Sequence, residues 1–335
     1  MKNFFRFVIL YLILAMLVTG LTRSISGDVL TQAMVATVEF SATFGIAVFW
    51  LLPVFLGVML IVGWRKFLSN AYLIGYAAIG SVLLQVGFSL LKANIPMIVP
   101  FYADVALATF DTYLHGGVDP WVLTHDWAQH LPIKLLLPLY LSVWVVPALA
   151  LVLIIAVSDR CAERTARFVV LYIACWLVLG NILALVGSSA GPVYYDAIYG
   201  GQRFAALIAA LDSSGLNGTM VGTVQRHLWD NYQAQSLSLG ASISAFPSVH
   251  VGIATLTALY MTERNRWLAL PGLAFVGAIL FLSVYTGYHY AVDGYFSILF
   301  VGGLWAVLRR MQLSTWSMPK LRIGRRGAAS AKGAA

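Results

Sequence analysis

The stretch Leu268–Arg310 reads LALPGLAFVGAILFLSVYTGYHYAVDGYFSILFVGGLWAVLRR. It holds two apolar runs, 268 to 287 and 291 to 308, each close to the roughly 20 residues a helix needs to cross a bilayer. At their junction stand His289 and Asp293, four residues apart, and a carboxylate at bilayer depth is costly unless it is partnered. Outward from this stretch the chain keeps the same character. Of its 335 residues 60% are hydrophobic and 10% charged, with a mean hydropathy of +0.84. That is too little charge to wet the surface of a soluble domain. The reading is an all-α, polytopic membrane protein.

Further apolar runs at 5–21, 43–64, 71–91, 135–157, 168–187 and 246–262 bring the expected number of membrane helices to eight. Sixteen of the 21 Lys and Arg then fall on one side, and the other side receives Arg23, Lys92, Lys134, Arg203 and Arg226. The positive-inside rule puts both termini in the cytoplasm, and an odd number of spans would misplace some of the basic clusters. The net charge of +8 thus reports orientation; no basic soluble surface exists to bind nucleic acid. The first run follows Lys2 and Arg6 without a clear cleavage site and reads as an uncleaved anchor. An inner bacterial membrane fits this layout.

Three parts are expected: residues 1–134 with three spans and an outer loop, a membrane core at 135–310, and a basic, disordered cytoplasmic tail at 311–335. The segments 92–134 and 188–245 are placed outside, the second with pieces suited to amphipathic helices. Cys161 and Cys175 offer neither a disulfide framework nor a metal-ligand spacing.

All six histidines and ten of the thirteen acids map to the outer side of this topology. Two histidines come with a context. In Ala245-Phe246-Pro247-Ser248-Val249-His250-Val251-Gly252, Pro and Ser suit a helix start and put His250 in its first turn. In His289-Tyr290-Ala291-Val292-Asp293, the i,i+4 spacing places both polar residues on one helical face. There the aspartate can fix the tautomer of the imidazole and leave its other nitrogen free as a nucleophile or base. The runs 246–262 and 268–287 form a hairpin through Thr262–Trp267, so His250 and His289 return to the same outer face. Their offset along the hairpin is about 7 Å at 1.5 Å per residue, which tilt or unwinding at Gly287 can absorb.

The pairing of P-S-x-H-x-G with H-x-x-x-D resembles the type 2 phosphatidic acid phosphatase superfamily. Ile243–His250, His289–Asp293 and the preceding Gly187-Ser188-Ser189-Ala190-Gly191-Pro192-Val193-Tyr194-Tyr195 look like the branch that includes the inositol phosphorylceramide synthases of fungi and their bacterial relatives. The motif-bearing part covers about 187 to 294. The resemblance implies a helical-bundle phosphatase core and a phospho-histidine mechanism. His289 would be the nucleophile, Asp293 its orienter, and His250 the acid for the leaving alcohol and then the activator of the acceptor. Two histidines from different helices suit in-line displacement at phosphorus, with a nucleophile on one side and a proton donor on the other. The chain departs from the superfamily in carrying Ser283 where an Arg usually stands, six residues before the second histidine, and in lacking the Lys and Arg-Pro of the usual first motif.

Arg203 and Arg226 are the outer cations nearest these motifs and the candidates for holding phosphate, with interfacial charge beside lipid headgroups as the equal alternative. Ser248 and Gly252 are candidates through hydroxyl and backbone contacts. Tyr194 and Tyr195 are carried as substrate contacts or as interfacial anchors. The implied function is transfer of a phospho-headgroup between membrane lipids, with lipid phosphate hydrolysis as the alternative. No metal or cofactor and no partner beyond the lipid substrates is expected, and oligomeric state stays open.

The other histidines, His115, His125, His130 and His227, read as loop residues. A metal site of His115, His125, Asp119 and Asp126 matches no ligand spacing. A proton-coupled transporter would show polar residues deep in several helices or broken helices in two matching halves, which Glu39 and Gln85 do not supply. A membrane scaffold needs no histidine pair, and the vanadium haloperoxidases that share the superfamily's site are soluble.

Overall fold

Apolar runs with helical periodicity become helices, and in the computed structural model the described residues are 1–23, 31, 34, 38, 71–235 and 242–311. They form α1 (Lys2–Arg23), α2 (Ala71–Ile98), α3 (Asp104–Leu114), α4 (Pro120–Ala128), α5 (Ile133–Pro138), α6 (Val145–Ser158), α7 (Ala162–Ile173), α8 (Pro192–Tyr199), α9 (Ala205–Ser213), α10 (Met220–Gln233), α11 (Val249–Arg264), α12 (Ala269–Tyr285) and α13 (Ala291–Arg310). No strand occurs among the described residues. Two π-helical segments, Leu139–Val143 after α5 and Ala174–Leu183 after α7, continue those helices.

Five helical stretches among the described residues are long and apolar enough to cross a membrane: Lys2–Arg23, Tyr72–Ile98, Ala162–Val186, Arg266–Tyr285 and Ala291–Arg310. A sixth follows if Ile133–Val143 and Val145–Ser158, which meet at 45°, make one bent span. These helices mark the chain as an integral membrane protein. Against the expected eight, the described residues hold five or six. The run at 43–64 lies outside the described residues, as does the basic tail beyond Met311, and α11 has 16 residues, fewer than a span usually needs.

α11 is central, packed against α12, α13, α6 and α7. Its hairpin with α12 is close because Gly272 faces Ala258; a Cβ there would come within 2.9 Å of the Ala258 Cα. α1 lies along α2 with Phe4, Val8, Tyr11, Ala15 and Thr19 inward, while Leu10, Leu14, Leu17 and Leu21 on its other face stay exposed. Such a stripe suits lipid, where apolar surface need not be hidden. Polar residues stitch the helices instead: the Tyr11 hydroxyl donates to Asn181, Asn181 Nδ2 donates to the Phe88 carbonyl at 3.3 Å, and the Tyr172 hydroxyl donates to the Ala148 carbonyl at 2.5 Å. One apolar cluster joins Phe4, Leu84, Tyr172, Ile253 and Leu256 along the bundle. A second, around Tyr140, Leu207, Val251, Ile279 and Tyr290, lies under the short helices that cover one end.

The two ends differ in chemistry. At one, Asp159 pairs with Arg164 at 2.6 Å, Arg167 with Glu263 at 2.5 Å, and Trp305 Nε1 donates to Glu263 at 2.6 Å. At the other, the segments 99–134 and 187–235 fold back, largely as short helices, over the start of α11 and α13. One boundary differs from the sequence reading. The run expected to end near residue 91 continues as helix to Ile98, so Lys92 belongs to α2 and not to a loop. Tertiary bonds satisfy the polar residues there: Asn94 donates to Thr19 Oγ1 at 2.9 Å and accepts from Arg23 Nε at 2.9 Å.

Candidate active site

His250 is the second residue of α11, behind the cap residue Ser248, whose hydroxyl accepts the Val251 N–H at 3.4 Å. Its ring lies between two aromatics, Trp144 at 4.0 Å and Tyr140 at 4.6 Å between centroids, both stacked. Trp144 Nε1 also donates to the His250 carbonyl at 2.9 Å. Stacking holds the imidazole by its faces, which leaves both ring nitrogens available to a ligand.

His289 reaches the same place by another route. α12 ends at Tyr285, the chain turns through Gly287 at φ +72°, and the His289 amide donates back to the Ser283 carbonyl at 3.2 Å. That turn absorbs the offset along the hairpin. It also corrects the expectation of one shared helical face: α13 begins only at Ala291, so His289 precedes the helix and Asp293 lies in its first turn. Asp293 Oδ2 accepts the Tyr290 amide at 3.0 Å and lies 3.3 Å from His289 Nδ1. A carboxylate there keeps the proton on Nδ1 and the lone pair on Nε2. Burial lowers the pKa of His289, with the nearby Lys92 ammonium adding to the effect, so the neutral imidazole is favoured.

The two rings approach to 5.9 Å between centroids at 63°. Ser248 N donates to the Asp293 carbonyl at 3.3 Å, tying the two motifs through the backbone. Both histidines line one cavity of about 280 Å³, whose other walls include Lys92, Tyr140, Trp144 and Tyr194.

Two carboxylates that the sequence reading did not single out build the frame. Asp104 is fully buried; it accepts the amides of Ala190 and Gly191 at 2.8 Å each, the Tyr290 hydroxyl at 3.0 Å and the Tyr199 hydroxyl at 3.2 Å. Asp111, one helical face along α3, accepts the amides of Ala291 and Val292 at 2.9 and 3.1 Å and so caps α13. Burial raises the pKa of both, Asp111 to about 6, and the backbone bonds each receives oppose that rise. The available signal was their seven-residue spacing around the buried Ala108, a stripe on one helix face.

Lys92 was expected as an outer loop cation, and the structure places it on α2 in the wall of the histidine cavity. Its signal in the sequence was the polar series Ser81, Gln85, Ser89 and Lys92, which recurs at helical spacing inside an apolar run. The other candidates are distributed differently. Tyr194 lines the cavity and donates to the Gln225 carbonyl at 2.9 Å. Tyr195 packs on Tyr199 and Phe204 away from it. Ser248 and Gly252 are buried in and before α11, where a Cβ on Gly252 would meet Leu179 at 2.8 Å. Arg203 is paired with Asp119 at 2.5 and 2.6 Å and stacks on Phe204. Arg226 is exposed and donates to the Asn217 carbonyl at 3.0 Å. Neither arginine lines the cavity of the two histidines.

His125 bonds the Tyr285 carbonyl at 3.0 Å and stacks on the Tyr285 ring. His115 bonds the Asp111 carbonyl at 2.7 Å and the Tyr295 hydroxyl at 3.0 Å. These two residues therefore pin the covering helices to α12 and α13. Among the described residues no three His, Cys, Asp or Glu are grouped to hold a metal ion.

A family model described as the PAP2 superfamily matches residues 105–307. No curated protein and no solved structure matches the chain.

Proposed function

Because the chain belongs to the PAP2 superfamily, whose members are phosphatase-type enzymes, we propose that it is a membrane-embedded lipid phosphotransferase working through a phospho-histidine intermediate. The observation that carries this is the meeting of His250 and His289, 5.9 Å apart on one cavity, with Asp293 against the second ring. His289 Nε2 attacks the phosphorus of a donor phospholipid as the bond from phosphorus to the lipid alcohol breaks. His250, taking up its proton once the anionic phosphate of the donor is bound beside it, gives that proton to the departing alkoxide, and the headgroup phosphate stays on His289. An acceptor lipid hydroxyl then loses its proton to the now neutral His250 and attacks phosphorus, which frees His289. Asp293 stabilises the positive charge that develops on the His289 ring in the first step.

The lining favours an alcohol over water as acceptor: Phe88, Val145, Leu149 and Trp176 join the aromatic rings around His250, and an apolar wall suits a lipid hydroxyl and disfavours bulk water. Tyr194 is a substrate contact in this reading, and Ser248 and Gly252 position His250. The histidine end faces the extracytoplasmic side of a bacterial inner membrane, with lipid substrates from the outer leaflet. The test is to incubate the purified protein in micelles with a phospholipid panel, with and without ceramide or diacylglycerol, beside a His289→Ala control. A new phospholipid that needs the acceptor and vanishes in the control is the expected result. Phosphate release without acceptor would make the enzyme a hydrolase, and equal product in the control would overturn the phospho-histidine mechanism.

A further inference from the structure

Phosphoryl transfer needs positive charge or strong donors beside the non-bridging oxygens, and the chain lacks the arginine and lysine that its superfamily usually places in the motifs. Arg203 is engaged by Asp119, Arg226 is exposed and bonds the Asn217 carbonyl, and neither lines the cavity of the histidines. The cavity itself contains one cation among its described lining residues, Lys92. This lysine comes from α2, which lies wholly before the segment that the family model matches.

The surroundings of Lys92 hold no structural partner for its charge. No carboxylate pairs with it and no hydrogen bond engages its ammonium among the described residues; its neighbour is the Phe88 ring, 5.6 Å from Nζ. Its charge acts on both imidazoles. An ammonium on a membrane helix without a counter-ion marks a functional place, and here the missing anion is the one the proposed chemistry brings. Gln85 and Ser89, on the same face of α2, line the same cavity, so this face turns toward the site.

We infer that Lys92 is the phosphate-binding cation of the active site, contacting the non-bridging oxygens of the phosphoryl group that passes between the donor lipid and His289. The inference rests on the phosphoryl-transfer reading of the two histidines. It assigns to the N-terminal helices, outside the family-matched segment, a direct part in the site. It also explains how the chain dispenses with an arginine at Ser283: that position is fully buried, and its hydroxyl bonds the Leu280 carbonyl at 2.8 Å, so it has no room for a cation.

The test compares the full-length wild type with Lys92→Met, Lys92→Arg and His289→Ala in two assays. One is acceptor-dependent phospholipid turnover. The other is binding of orthovanadate, a phosphoryl analogue, read as protection against thermal unfolding. Lys92→Met, similar in length and easily held in a membrane helix, is expected to keep its melting temperature without vanadate. It should lose about 100-fold or more in kcat/KM and at least tenfold in vanadate affinity, and Lys92→Arg should recover most of both. An active wild type with Lys92→Met unchanged in turnover and vanadate binding would overturn the role of Lys92 alone. A wild type without turnover on any lipid of the panel and without vanadate protection would overturn the phosphoryl-transfer reading, and Lys92 with it.

Discussion

His289 and Asp293 show what one hydrogen bond has to do at the residue scale. The carboxylate sits 3.3 Å from Nδ1, and in the proposed mechanism it decides which ring nitrogen carries the proton, so its chemistry is lost in the amide although the shape is kept. Asp293→Asn is expected to lower kcat by roughly 10³- to 10⁴-fold with little change in donor KM, by analogy of role with the aspartate of a hydrolase triad; single-turnover measurements would check it. Asp111 supplies a pH signature. Burial lifts its carboxyl to about 6 against an ordinary 3.8. A raised acid pKa means that the folded state holds the proton more tightly, so this contribution to stability is full below about pH 4 and is lost as pH rises through about 6. Melting curves between pH 4 and 7 should therefore show a decline with rising pH that is shallower in Asp111→Asn, whatever the absolute stability of that variant.

At the scale of elements, the loop that carries Gly191 is held where few alternatives fit. Gly191 has φ +91°, and a Cβ there would lie 2.4 Å from the Tyr288 carbonyl oxygen. Its amide and that of Ala190 end on Asp104, which also takes the Tyr290 hydroxyl. The loop before α8 and the turn before α13 are thus locked to α3 by one buried carboxylate. Gly191→Ala should cost about 2 kcal/mol or more, from left-handed strain plus the contact, and the loss of turnover should exceed what the melting temperature implies because Tyr288 and His289 move together. Asp104→Ala, which strands buried donors worth about 1–3 kcal/mol each, should destabilise at least as much. The histidine motifs were legible as short patterns, whereas their anchors were not: Asp104 reaches Tyr290 across 186 positions and Asp111 reaches Ala291 across 180.

For the whole molecule, the end that bears Asp159, Arg164 and Glu263 and the end that bears the histidines are separated by the length of α11. Cys161 is exposed at the first end and Cys175 is buried, so the native chain carries its own topology probe. In right-side-out vesicles a membrane-impermeant maleimide should label Cys161 only after permeabilisation; labelling of intact vesicles would reverse the proposed orientation. The membrane class, the helical architecture and the P-S-x-H and H-x-x-x-D pair were determined by the sequence itself, because hydropathy, periodicity and motif spacing are local properties of neighbouring residues. The tertiary structure alone decided that Lys92 lines the cavity of the two histidines, that Asp104 and Asp111 hold the backbone beside it, and that His289 stands in a turn ahead of the helix that carries Asp293. Each of those depends on a partner far along the chain or on one positive φ at Gly287, and a burial or a hydrogen bond made across such separations leaves no periodic trace in the residues that make it.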